Sequence, residues 1–179
     1  MIEKTGDIWG SEADWICITT NGFVKANGCA VMGRGVALQA ATKMSYLPYA
    51  LGSKIKTSGN IVQSLACTFA PEGKKAAHLL SFPVKHNWWE KADPELIRRS
   101  CRQLWSLCDE ALRSRWEKNL GLVAGPGVLR VALPRPGCGN GGLDWKDVKP
   151  ILAEILVEDC FEVWEKPQPY LGSRGTEVG

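Results

Sequence analysis

The sequence has no Cys-x-x-Cys pair and only two histidines, although it carries seven cysteines, Cys17, Cys29, Cys67, Cys101, Cys108, Cys138 and Cys160. An odd number of scattered thiols with so few imidazoles speaks against a disulfide framework and against a zinc site, so no metal is expected. No apolar run is long enough to cross a bilayer, and Met1 to Asp7 lacks the apolar core of a secretory leader. These absences predict a cytoplasmic protein with reduced thiols and no membrane partner. The Gly-x-x-x-x-Gly-Lys-[Ser/Thr] string of P-loop nucleotide hydrolases is missing, and so is any internal repeat. Strong charge of one sign is missing too. A net charge of +3, from 22 Lys and Arg against 19 Asp and Glu, tolerates a phosphate-bearing ligand but falls short of a dedicated nucleic-acid binder.

What is present fits a globular domain: 179 residues, 45% hydrophobic and 23% charged, enough chain to bury a contiguous core unaided. Ala13 to Thr20 is an apolar, β-branched run stopped by Asn21-Gly22, which predicts a buried strand. Val36 to Met44 is rich in helix formers and is read as ending before Pro48, with Gly33-Arg34-Gly35 at its start. Asn60 to Thr68 and Ala77 to Val84 are two further strands, joined by the polar turn Pro71 to Lys75 into an antiparallel hairpin. Asp93-Pro94-Glu95 caps a long helix with Leu96, Ile97, Cys101, Leu104 and Cys108 at helical spacing. Val128 to Leu133 is a strand, Asp144 is expected to cap a helix weakened by Pro150, and Phe161 to Glu165 is the last strand. The predicted domain is 1–165, and 166–179 is read as a flexible tail.

Alternating strands and helices, with several strands apolar throughout, predict an α/β fold with a central mixed sheet covered on both faces. Ligands of such sheets bind at the carboxyl ends of the strands. Two glycine-rich segments fall there, Gly28 to Gly35 and Gly137 to Gly142, and each runs into a helix. Glycine frees the backbone to crowd N–H groups toward an anion, and a helix start adds positive potential, so a pair of such loops suits a diphosphate. The alternative is that the glycines serve only as turns.

Four segments taken together resemble the macrodomain family: Gly6-Asp7-Ile8, then Asn27 through Gln39 (NGCAVMGRGVALQ), then Phe82-Pro83-Val84-Lys85, then Pro134 through Trp145 (PRPGCGNGGLDW). Their order and spacing match over roughly Ile2 to Trp164. Within that family the chain resembles the branch that contains the terminal ADP-ribose protein glycohydrolase and the antitoxin DarG. The resemblance implies a macrodomain-type central mixed β-sheet sandwiched by helices on both faces, a monomer, and ADP-ribose or an ADP-ribosylated macromolecule, DNA or protein, as partner, with no cofactor.

The resemblance also implies roles. Asp7, with Ile8, matches the aspartate that accepts a hydrogen bond from the adenine amino group, where guanine has no donor; a turn aspartate is the plain alternative. Met32, Gly33, Arg34, Gly35 and Val36 match the loop around one phosphate, and Pro134, Gly137, Cys138, Gly139, Asn140, Gly141 and Gly142 match the loop around the other. Asn27 matches an asparagine that reaches the distal ribose, and Asn21 ends the strand where another such asparagine lies; either Asn-Gly pair also reads as a turn. Trp164 stands where an aromatic packs on the adenosine, or belongs to the core. Lys85 matches the lysine beside the distal ribose and, with Asn27, forms the expected catalytic pair.

Cleavage at the anomeric carbon needs stabilised oxocarbenium character, a proton for the leaving group and a nucleophile. A lysine supplies the first two as an ammonium, and the third only after its amine is freed. In the protein glycohydrolase an aspartate of the second glycine loop assists a covalent lysine intermediate, but the matching position here holds Asn140 or Gly141. That departure makes the DNA-type scheme the nearer one, and Trp88 and Trp89 beside Lys85, rings that either stack a base or wall the pocket, point the same way in the first case. The expected function is hydrolysis of the link between ADP-ribose and a target, DNA ahead of protein. A non-catalytic ADP-ribose reader and an ADP-ribose 1″-phosphate phosphatase are the alternatives.

Overall fold

The computed structural model describes residues 1–118 and 129–167. Six strands, β1 (Ile2–Thr5), β2 (Trp15–Asn21), β3 (Gln63–Phe69), β4 (Ala77–Lys85), β5 (Val131–Pro134) and β6 (Phe161–Glu165), form one sheet in the order β1-β6-β5-β2-β4-β3. The first five strands in that order are mutually parallel, and β3 closes the edge antiparallel to β4. Among the described residues four α-helices flank the sheet, α1 (Gly35–Lys43), α2 (Leu47–Ser58), α3 (Pro94–Lys118) and α4 (Trp145–Ile155).

Because side chains alternate across a strand, each central strand feeds two cores. Cys17, Leu80, Phe82, Val131, Leu133, Phe161 and Val163 face one side, where they pack with Ile97, Cys101 and Leu104 of α3 and Val148 and Leu152 of α4. Ile16, Ile18, Leu79 and Ala132 face the other, against Ala37 and Ala40 of α1 and Leu47 and Leu51 of α2. The sheet is therefore sandwiched by helices, the arrangement that buried parallel strands require. Each fully buried leucine or isoleucine of these layers contributes about 1.5–3 kcal/mol.

The hairpin of β3 and β4 and the helices α1, α3 and α4 follow the pattern of the sequence. Asp93 caps α3 as expected, its Oδ1 accepting from Glu95 N at 2.9 Å. One reading needs correction, and two elements join those expected. Asp144 occupies the N-cap position of α4, but its side chain makes no capping bond and instead lies 3.7 Å from Lys146 Nζ. α1 does end before Pro48, as expected, but an unexpected helix follows it: Pro48 lies in the first turn of α2, where proline has no intrahelical N–H to lose. β1 is an additional strand: its four residues, mostly exposed, are ordered by parallel pairing of Ile2 to Thr5 with Glu162 to Glu165. The expected strand start at Val128 and most of the expected tail, 168–179, lie outside the described residues. Among the described residues no helix is long and apolar enough to cross a membrane. All seven cysteines are free thiols.

Candidate functional site

Parallel strands bring their carboxyl ends to one edge of the sheet, and a cavity of about 1090 Å³ lies along it. Asp7 and Ile8 follow β1, Trp164 and Glu165 end β6, Pro134 ends β5, Asn21 ends β2, and Val84 and Lys85 end β4; all of them line this cavity. Strand order thus becomes position along the cavity, and four inter-strand gaps of about 4.8 Å give a span of roughly 19 Å. The shape suits an elongated ligand.

Two loops form the middle. Gly33, Arg34, Gly35 and Val36 line the cavity at the start of α1, where Arg34 sits at the N-cap without a side-chain capping bond. The first N–H groups of a helix have no partner within it, so this end offers donors and positive potential. Gly35 takes φ +58°, open to glycine at little cost. Met32 lies behind the loop in the α1–α2 core rather than on the cavity wall.

Opposite, Gly137, Cys138, Gly139, Asn140 and Gly141 contribute the second wall, and Asn140 Nδ2 lies 3.5 Å from where a Cβ on Gly35 would stand. At Gly137 a side chain is barred twice, by φ +75° and by Ile97 Cδ1, which would lie 2.8 Å from a Cβ. Gly142 stands off the wall and closes the loop, its N–H donating to Gly139 O at 3.0 Å. Burial raises the Cys138 thiol above its ordinary pKa, so it is no ready nucleophile.

At the β1–β6 end, Asp7 is a capping aspartate: its Oδ1 accepts from Trp9 N at 3.1 Å. Among the described residues its Oδ2 has no partner, so the cap leaves one acceptor for a ligand. Trp164 is half-buried, and its Nε1 donates to Glu162 Oε2 at 3.2 Å. Glu162 in turn accepts from Lys4 at 2.8 Å and from Arg130 at 2.6 Å. Burial alone would raise the Glu162 carboxyl, but these two cations outweigh it and hold the group below its ordinary pKa.

At the β2–β4 end, Pro83 supplies no N–H to the ladder, and the pairing of β2 with β4 shifts register just beyond it, bringing Asn21 opposite Lys85. Lys85 Nζ donates to Asn140 O at 2.8 Å and so reaches across to the second glycine loop. Asn21 uses both ends of its amide, donating to Val31 O at 2.9 Å and accepting from Phe23 N at 3.0 Å. Thr20 Oγ1, also on the cavity wall, is buried without a partner among the described residues, a polar atom that a ligand or water would satisfy. Asn27 does not join this group: it is exposed, and its Oδ1 accepts from Cys29 N at 3.1 Å in a local turn.

The sequence reading did not single out several residues of this end. Phe23, Lys25 and Glu90 line the cavity beside Trp88 and Trp89. They come from loops and carry no periodic signal. Glu90 accepts from Asn87 Nδ2 at 2.8 Å and from Asn87 N at 2.9 Å, bonds that hold its carboxyl below the ordinary range. His86 lies 3.0 Å from Asp93, away from the cavity lining. Among the described residues no cluster of His, Cys, Asp and Glu is placed to hold a metal.

A six-stranded sheet between two helical layers, with two glycine loops over the carboxyl ends of its parallel strands, is the macrodomain fold. Solved structures with this fold include the macrodomain of Mycobacterium tuberculosis DarG (TM-score 0.65, 23% identity, covering 94% of this chain and 97% of that one). Thermosipho africanus DarTG, solved in complex with ADP-ribose, matches with a TM-score of 0.62 at 20% identity, over 93% of this chain and 42% of that one. Among curated proteins, the DNA ADP-ribosyl glycohydrolase of Thermus aquaticus is 29% identical over 144 residues, 77% of this chain and 34% of that protein. Its namesake in Mycobacterium tuberculosis is 25% identical over 146 residues, 81% of this chain and 37% of that protein. No protein-family profile matches the chain. The chain has the macrodomain fold and is similar in sequence to DarG proteins, and it spans about a third of the length of these curated relatives.

Proposed function

We propose that this macrodomain binds ADP-ribose along the cavity and hydrolyses the bond between its distal ribose and a modified target, with DNA preferred to protein. In this reading the adenine lies by Asp7 and Trp164, the two phosphates lie between the glycine loops, and the distal ribose lies by Asn21 and Lys85. Lys85 carries the proposal. A lysine whose Nζ is held 2.8 Å from Asn140 O stands between the diphosphate loops and the end of the cavity where the scissile bond belongs.

Held there as an ammonium, Lys85 donates a proton to the leaving atom as the anomeric bond breaks; water then adds to the anomeric carbon, and its proton returns to the amine. The products are ADP-ribose and the unmodified acceptor. The second loop offers Asn140 and Gly141 where the covalent scheme uses an aspartate, and the Glu90 carboxylate is committed to Asn87, which supports the direct route over a Schiff base. Asn21, not Asn27, is the asparagine on the cavity wall and replaces Asn27 in the ribose role.

The test is calorimetric titration with ADP-ribose, paired with release assays on thymidine-linked, glutamate-linked and serine-linked ADP-ribose. Binding with release from the thymidine link is the expected result. Release from a protein link alone overturns the DNA preference, and tight binding without any release makes the protein a reader. Borohydride trapping that leaves an adduct on Lys85 would replace the direct route by a covalent one.

A further inference from the structure

The β2–β4 end of the cavity opens onto an unusual surface. Trp88 and Trp89 are 53% and 58% exposed. They sit on a turn closed by Glu90 N to Asn87 O at 3.3 Å and by the two bonds from Asn87 to the Glu90 carboxylate, so the exposed rings are held in place by the backbone beneath them. Trp89 meets Trp88 edge-on at 5.5 Å and Phe23 at 5.3 Å.

Beyond Phe23 the chain enters a tight loop, with Lys25 N bonded to Cys29 O at 2.8 Å and Gly28 N to Lys25 O at 2.9 Å. This loop is pressed onto α2: Ala30 N donates to Pro48 O at 2.8 Å, and a Cβ on Gly52 would stand 2.0 Å from Gly28 O. Against Gly28 lie the Tyr49 ring and Lys56 Nζ, 3.6 Å and 3.8 Å from where its Cβ would be. Tyr49 is 65% exposed. Flat rings and lysines therefore alternate from the cavity mouth, over the loop, to α2.

These lysines are available. Among the described residues no ion pair engages Lys25, Lys56 or Lys85. Of the arginines of α3, Arg98 is paired with Glu154 and Glu95 and Arg113 with Asp109, and Arg99 donates to Asn60 O at 3.2 Å. Protein interfaces share the taste for aromatic rings but are depleted in lysine, whereas rings interleaved with lysines free of ion pairs suit stacked bases and their phosphates.

We propose that the track from Trp88 and Trp89 over Phe23 and Lys25 to Tyr49 and Lys56 receives the nucleotides that flank an ADP-ribosylated base in a single strand. The proposal rests on the reading that the distal ribose lies by Lys85, because that places the acceptor at the cavity mouth where the track begins. Bases stack on the rings and phosphates meet Lys25 and Lys56.

The experiment compares three probes by fluorescence anisotropy and competition: free ADP-ribose, ADP-ribosyl-thymidine and a single-stranded oligodeoxynucleotide carrying ADP-ribose on one thymine. Wild type is compared with Tyr49→Ala/Lys56→Ala, two exposed positions outside the cavity lining, so its affinity for free ADP-ribose stays unchanged. Wild type is expected to bind the oligonucleotide at least tenfold more tightly than the nucleoside, and the double variant to lose most of that gain. The slope of log affinity against log salt should fall by about 0.7 for each phosphate contact removed. An oligonucleotide that binds no better than the nucleoside, or a double variant that keeps the gain, overturns the track. An ADP-ribosylated peptide that gains as much and loses it in the same variant assigns the surface to protein instead. If free ADP-ribose itself fails to bind, the cavity reading fails separately, and an unmodified oligonucleotide compared between wild type and variant still decides the track.

Discussion

At the β1–β6 end of the cavity the charged side chains around Trp164 answer one another: Glu162 takes Lys4 and Arg130, Glu165 takes Arg135, and Glu3 takes Arg135 and Lys149. At the β2–β4 end Lys85 faces a backbone carbonyl, Lys25 has no ion pair among the described residues, and three aromatic rings stand at the opening. One end is a closed lattice around Trp164 and Trp145, whose indoles donate to Glu162 and Glu3; the other, among the described residues, leaves its lysines without ion pairs and Trp88 and Trp89 exposed. Such an asymmetry suits a ligand with one constant part to be recognised and one variable part to be cut away. Binding affinity and turnover should therefore separate along the cavity, and substitutions at the two ends should fail in different ways.

The largest separation is expected from Lys85→Ala. If Lys85 supplies the proton for the leaving group, release falls by about 10²- to 10⁴-fold, the range of general acid catalysis. ADP-ribose affinity stays within about threefold of wild type, because the loops bind through backbone N–H groups, the β1–β6 end is untouched, and the loss of Lys85 frees only the Asn140 carbonyl, which water can satisfy. Single-turnover release and calorimetry measure the two quantities on the same protein. A parallel loss of both would place Lys85 in ligand binding and erase the contrast between the ends.

How far the sequence carries this picture depends on what kind of force orders each residue. β2, β4, β6 and α3 were legible because their apolar periodicity is the same pattern that buries Ile16, Phe82, Phe161 and Leu104. β1 was not, because Ile2-Glu3-Lys4-Thr5 has no buried face and owes its conformation to pairing with Glu162 to Glu165 at the far end of the chain. α2 was missed because Pro48, which does follow the end of α1, also opens a second helix from its first turn. The glycine loops were legible from their place at strand ends, and Lys85 from its motif. The choice between Asn21 and Asn27 was not, since spacing cannot say which Asn-Gly turn faces the cavity. Glu162 gave no signal at all: a lone glutamate in an apolar strand acquires its meaning only when Lys4 and Arg130 close over it.

That glutamate offers the second break. Glu162→Ala removes the acceptor shared by Lys4, Arg130 and the Trp164 indole, leaving a nearly buried gap with donors around it. Because both cations remain partly exposed to water, the cost is about 2 kcal/mol rather than the full price of a buried pair. For a chain of this size that is a fall in Tm of about 4–8 °C by thermal denaturation. ADP-ribose affinity should weaken with it as Trp164 loosens, while release of bound ADP-ribose keeps its rate, the reverse of the Lys85 variant.

The smallest expected effect is a pH response that divides the two ends again. Glu90 is held below its ordinary value of 4.5, first by the Asn87 side chain and then by the Asn87 backbone N–H. A carboxylate depressed in the folded state contributes stability that is complete above its unfolded value and is lost as pH falls through the lower folded one. The Asn87–Glu90 turn should therefore be fully closed at neutral pH and open only below about 4.5. Its opening frees Trp88 and Trp89 without touching either core, so their near-UV circular dichroism should change while the far-UV signal persists. Glu90→Gln keeps one acceptor but loses the charge, and should show the altered tryptophan signal already at neutral pH. At the other end the depressed Glu162 is tied into the sheet, so its protonation should appear as lost global stability. If the tryptophan signal instead moves only with the far-UV signal, the turn is not an independent clamp, and the open end of the cavity is as rigidly tied to the fold as the closed one.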